Sequence, residues 1–154
     1  MATEVQSPPD TYTFQLKGNY LSKGRVNINL AQEECLWLSL KVNAEGGENA
    51  LHAHAAEEHA FIVMEGEVTF FDRHGEGKVL KQFEGIMIPK GAYYRYLNTG
   101  GTNLFLLRVG AKFPQEGGQE TRVRQDGTFL DSSSAENHHV DGIEIPGKTW
   151  GFGS

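Results

Sequence analysis

Apolar residues along this chain recur mainly at every second position. Leu36, Leu38, Leu40 and Val42 alternate with Trp37, Ser39 and Lys41, the period of a strand with one fully apolar face. Val26, Ile28 and Leu30 repeat the pattern in a stretch from Thr13 to Leu30 that Gly18 and Gly24 interrupt, which predicts edge strands. Ala60 to Met64 and Val68 to Asp72 read as two strands joined by a tight turn at Glu65-Gly66-Glu67, with a polar loop from Arg73 to Gly77 after them. Val79-Leu80 and Ile86-Met87-Ile88 follow. Tyr93 to Leu97 and Leu104 to Val109 then form two more strands around Thr99-Gly100-Gly101. Pro89-Lys90-Gly91 turns the chain, and Pro89 holds its predecessor extended. Short strands with Gly and Pro turns and no helical period predict an all-β barrel or sandwich.

The pattern also divides the chain. Residues 1–12 are polar, carry Pro8-Pro9 and read as an N-terminal arm. Residues 13–112 hold the regular strands. Residues 113–154 are rich in Gly, Ser, Asp and Glu, with hairpin-like pieces around Asp126-Gly127 and Asp141-Gly142. Phe129, Ile143, Ile145, Trp150 and Phe152 are too apolar for a free tail, so this extension is expected to wrap a barrel, its own or a neighbour's. Adjacent residues of an extended chain point to opposite sides, and His138 and His139 are both assigned to the surface.

Composition narrows the function. The chain has 154 residues, enough for one domain with a real core, and a net charge of −6 with pI near 5.5, which argues against a nucleic-acid partner. No run is long and apolar enough to span a bilayer, and the N-terminus lacks an apolar segment of signal type. Cys35 is the single cysteine, so no intrachain disulfide forms and a cytoplasmic location is expected; within an apolar run it reads as a small buried hydrophobe. Edge strands need covers, which predicts a homodimer.

The candidate chemistry lies between Gly46 and Gly66. His52 and His54 are two apart, so on a strand their rings share a face. His59 joins them if the chain bends at Ala55-Ala56-Glu57-Glu58, and three imidazoles at one point suit a first-row transition metal. Two histidines alone would be read as a solvated face; the flanking pattern changes that. It resembles the first motif of the cupin superfamily, Gly-x5-His-x-His-x3–4-Glu-x6-Gly, on Gly46, His52, His54 and Gly66. Counting back from Gly66 puts His59 in the third-ligand position; Glu58 fits there only with an extra residue in the next strand. The second motif, Gly-x5-Pro-x-Gly-x2-His-x3-Asn, is matched by Pro89, Gly91 and Asn98, with Phe83 in place of its first glycine and Tyr94 in place of its histidine.

The resemblance covers roughly Leu36 to Val109. It implies a cupin-type double-stranded β-helix, a jelly-roll barrel, holding one divalent transition metal on His52, His54 and His59. Iron(II) is favoured; manganese, nickel, copper and zinc also suit imidazole. Tyr94 is assigned first to hydrogen bonding with substrate, with ligation and plain filling as alternatives. Glu57 or Glu58 would act as general base or hold an imidazole N–H; Glu58 joins Tyr94 as the catalytic candidate. Tyr96 shares the face of Tyr94 and is a candidate pocket wall. Surface ion pairs are the simpler reading for Arg95 and Arg108, though Arg108 is carried forward with Tyr96 as a substrate-pocket residue. Three neutral ligands leave the ion its full charge and favour a small chelating anion as substrate. The expected function is a metal-dependent oxygenase; the alternatives are a non-redox isomerase, lyase or cyclase, and a non-enzymatic ligand-binding module.

Overall fold

The structure, a computed structural model, describes residues 6–113 and 122–154; the first five residues of the expected arm and residues 114–121 of the expected extension lie outside the described residues. The described chain forms twelve strands and no helix. They are β1 (Lys17–Lys23), β2 (Arg25–Gln32), β3 (Leu36–Asn43), β4 (Gly47–His54), β5 (Glu57–Glu65), β6 (Val68–Phe71), β7 (Gly77–Leu80), β8 (Gly85–Ile88), β9 (Tyr94–Asn98), β10 (Leu104–Lys112), β11 (Arg122–Val123) and β12 (Ile143–Gly151). One five-stranded sheet runs β2-β3-β10-β5-β8 and a second runs β11-β4-β9-β6-β7, with a separate ribbon β1-β12. All of the ladders between these strands are antiparallel. This is an all-β double-stranded β-helix.

Two cores follow from strand alternation. Phe61 and Val63 of β5, Val68 and Phe70 of β6, Tyr94 and Tyr96 of β9, and Leu104 and Leu106 of β10 pack together between the sheets. Leu40 and Val42 of β3 and Phe105 of β10 point the other way, and pack with Leu21 of β1 and the half-buried Trp150 of β12. The β1-β12 ribbon therefore covers the outer face of the first sheet. Burial on both faces explains why β10 is a continuous apolar run rather than an alternating one. It also places both faces of β3: the apolar face lies outward beneath the ribbon, while Ser39, Lys41 and Asn43 take the opposite face and are buried or half-buried.

The C-terminal extension packs on its own barrel. Residues Arg122 and Val123 pair with His54 and Ala53, and β12 pairs with β1. A bridge links Val123 to Phe129 across Asp126-Gly127, as the hairpin reading expects, but Asp141-Gly142 closes no hairpin: Asp141 bridges to Arg25 and Ile143 pairs with Lys23. Cys35 corrects another expectation. It sits in the bend between β2 and β3 and is exposed. Asn98 ties one end of the barrel by donating to the carbonyls of Asn43 (2.9 Å) and Thr102 (2.9 Å), while the Gly91 N–H donates to the His54 carbonyl (2.9 Å) and fixes the Pro89 turn to β4.

Candidate metal centre

Strand register brings the site together. His52 and Tyr94 are cross-strand partners of β4 and β9, and their ring centroids lie 4.4 Å apart. The chain turns at Ala55-Ala56 and resumes as β5 at Glu57, which carries His59 back beside His54 with ring centroids 4.4 Å apart. Behind His59 a cross-strand row runs through Gly110 to Trp37. A Cβ on Gly110 would stand 2.1 Å from the Trp37 ring, so the bare backbone is what lets Trp37 lie edge-on to His59 at 5.6 Å.

All three histidines are at most 5% exposed. The carboxylate among them is Glu57, two residues before His59 and on its face of β5. Glu57 Oε2 accepts a hydrogen bond from His59 Nε2 at 3.0 Å, and His54 Nδ1 approaches the same oxygen at 3.2 Å, off the line of a hydrogen bond. The donor atoms of His54, Glu57 and His59 lie within 4.8 Å of one another. Glu58 faces away and is exposed, so the carboxylate expected in the site at Glu58 is corrected to Glu57. His52 sits in the same cluster but turns differently. Its Nδ1 is 2.9 Å from the Ala50 carbonyl, and its Nε2 is 3.3 Å from Glu48 Oε2. A proton on Nδ1 donated to that carbonyl leaves a lone pair on Nε2.

These residues fit a metal. Both ring nitrogens of His54, Nε2 of His52 and the hydroxyl of Tyr94 are buried and make no hydrogen bond among the described residues. Burial pushes the His54 ring down to about 4, and lowers His59 in the same direction, so both are neutral, as ligands must be. Burial would raise Glu57, but its contacts with His54 and His59 hold it well below the usual carboxylate range, as an anion. Two imidazoles and a carboxylate suit a divalent first-row ion. Burial raises the Tyr94 phenol well above its ordinary value, so it stays protonated and keeps a proton to donate.

A polar cavity of about 230 Å³ adjoins the cluster. Lys41, Asn43, Glu48, Tyr96 and Arg108 line it from the barrel, with Arg25 at its edge and Arg122, Ser132, Asn137 and His139 from the extension. Arg108 and Arg122 connect it to the histidines. Arg108 Nη2 lies 3.2 Å from His59 Nε2, and Arg122 Nη2 lies 3.5 Å from His52 Nδ1. Glu48 takes Lys41 Nζ at 2.5 Å and Arg122 Nη2 at 3.5 Å. Burial alone would raise its carboxyl, but Lys41 and Arg122 hold it well below the usual range. Burial pushes Lys41 down to about 8 against the pull of Glu48.

Arg108 and Tyr96 thus both line the cavity. Arg95 lies over the Phe71 ring at 4.1 Å, away from it. His138 and His139 are exposed, with His139 at the cavity edge, where its Nδ1 accepts from Arg25 Nε at 3.0 Å. Sequence reasoning missed Arg25, Lys41, Glu48 and Arg122. Parity had the information for two of them: Glu48 is four residues before His52, and Lys41 lies on the polar face of β3. Nothing local marks Arg122, which reaches the site by pairing across to His54.

The fold and this cluster define a small β-barrel protein with a metal-binding type of donor set in its interior. The chain belongs to the cupin family: the cupin domain model matches residues 28–110, more than half of its length. No curated protein matches the sequence. Solved structures with the same fold include the cupin domain of Schizosaccharomyces pombe Cnp3, at 18% identity over 58% of this chain and 61% of that one, with a TM-score of 0.53. The TT1209 protein of Thermus thermophilus matches at 24% identity over 63% of this chain and 91% of that one, with a TM-score of 0.56. A sugar phosphate isomerase of the cupin superfamily from Silicibacter pomeroyi matches at 19% identity over 70% and 81%, with a TM-score of 0.57. The chain spans about three fifths of the Cnp3 domain structure. Among the described residues no helix is long and apolar enough to cross a membrane.

Proposed function

We propose that the chain is a metal-dependent enzyme that acts on a small polar anion by proton transfer, in the isomerase or lyase class. The observation that carries this reading is that Arg108 and Arg122 line a cavity rich in cations and amides and also reach the His59 and His52 rings. An apolar pocket would suit dioxygen and a greasy substrate; here, among the described residues, Val26 and Tyr96 are the cavity's only largely apolar walls. His54, Glu57 and His59 would hold the ion, with His52 beside them. A divalent ion there supplies Lewis acidity toward an oxygen of the bound anion.

The remaining work falls to side chains. Arg108, within hydrogen-bond reach of His59, orients the anion against the cluster. The neutral, buried Tyr94 hydroxyl donates to a developing oxyanion. His52 Nε2, facing Glu48 Oε2 at 3.3 Å, takes and returns the proton. The test is carbon-bound hydrogen exchange. Protein loaded with manganese or zinc should exchange a substrate hydrogen for deuterium in heavy water under nitrogen, across a panel of small hydroxy and oxo anions. An oxygenase is the second reading, favoured by the two-histidine, one-carboxylate donor set. Turnover that appears only with iron(II) and consumes dioxygen in step with product would replace the first reading with it.

A further inference from the structure

We propose that the cavity beside the metal centre is a phosphate site, and that the substrate carries a phosphate monoester held by Arg25, Lys41 and Arg108. The inference rests on the enzyme reading above in one respect: the ester end of the molecule is what reaches the histidines.

Excess charge and unmet donors point to this ligand. Among the described residues Arg25, Lys41 and Arg108 line the cavity with one carboxylate, Glu48, an excess of two positive charges before Arg122 is considered. Glu48 is committed to Lys41 and Arg122. Among the described residues neither Arg25 nor Arg108 has an ion-pair partner, although each has a buried guanidinium nitrogen without a hydrogen bond, Nη1 of Arg25 and Nε of Arg108. Burying cations and leaving donors unmet is costly unless a ligand supplies the missing charge and acceptors. A phosphate monoester brings close to two negative charges and three acceptor oxygens, and guanidinium forks match its geometry in two-point contacts. A monocarboxylate would leave one of the two excess charges uncompensated.

The placement of the three cations suits a handle on a larger molecule. Arg108 reaches the His59 ring, at the inner end. Arg25 stands at the outer end, braced by the His139 ring at 3.0 Å and by donation to the Ser132 carbonyl at 3.0 Å. Lys41 lies between the sheets beside Glu48. The extension supplies Ser132, Ser133 and Asn137 to the outer wall.

Calorimetric titration of the full chain with inorganic phosphate tests this. One phosphate should bind per chain, at least tenfold more tightly than acetate at the same ionic strength. Arg25→Gln should weaken phosphate at least tenfold and Arg25→Lys should restore part of the loss, which separates lost charge from misfolding. Glycerol phosphate should bind at least as tightly as the free ion. Equal affinity for acetate, an unchanged Arg25→Gln protein, or exclusion of the ester would each overturn the assignment. Titrations with and without bound manganese separate the two readings. Phosphate binding by a chain that loads no ion would keep this site and remove the metal reading; a chain that loads one ion and binds no phosphate would do the reverse.

Discussion

Which of two adjacent glutamates enters the site is decided by strand parity. Glu57 and His59 share a face of β5, while Glu58 takes the exposed one. Glu57→Gln should therefore weaken manganese or zinc at least tenfold in a calorimetric titration, with Glu58→Gln indistinguishable from wild type. The three histidines were legible from their spacing together with the resemblance to the first cupin motif. The choice between Glu57 and Glu58 was not, because the two-residue turn at Ala55-Ala56 is what sets the register of β5. A second residue departs from its local rule. Phe83, which replaces the first glycine of the second cupin motif, has a φ of 69° and is 76% exposed. That left-handed conformation costs a non-glycine residue about 1–2 kcal/mol, and so exposed a ring loses little packing when removed. Phe83→Gly should raise stability to urea unfolding by about 1 kcal/mol, after the larger entropy of the unfolded glycine is set against the relieved strain.

At the level of elements, period found the strands of the barrel, while the apolar content of the extension, not its period, pointed to what covers them. The alternation of β3 was legible, but alternation does not say which face meets water. The β1-β12 ribbon buries the apolar face from outside, and the polar face with Lys41 becomes the wall of the cavity. β12 itself was hidden because Lys148, Pro146 and its glycines interrupt its pattern, and its partner β1 lies more than a hundred residues earlier. The ribbon is pinned by Trp150, whose ring stacks on Phe105 at 4.6 Å. Trp150→Ala should cost about 3 kcal/mol in a urea titration, at the lower end for a large aromatic because the side chain is only half-buried. A loss below about 0.5 kcal/mol would mean that the ribbon is not part of the cooperative unit.

Across the molecule, the buried histidines and carboxylates of the site are shifted so that acid opposes folding. The His54 ring, ordinarily near 6.5, is pushed down to about 4 by burial. Between those values the unfolded chain takes up a proton that the folded chain refuses. The stability of the metal-free protein should thus be fully present above pH 6.5 and fall as the pH drops toward 4, by at most roughly 3 kcal/mol from this ring. Glu57 and Glu48, held low by their partners, add to the loss further into acid. Urea midpoints at about pH 7 and about pH 4.5 check this, and His54→Gln should flatten the difference. The same burial that makes the fold acid-sensitive keeps the rings unprotonated for an ion, and the proposed chemistry turns on that ion. Metal content per chain, measured by mass spectrometry on protein dialysed against manganese or zinc, is the direct test. About one ion per chain, lost in a folded His54→Ala/His59→Ala variant, is the predicted result; a wild-type chain that retains no ion, or a double variant that retains it undiminished, would contradict the metal centre.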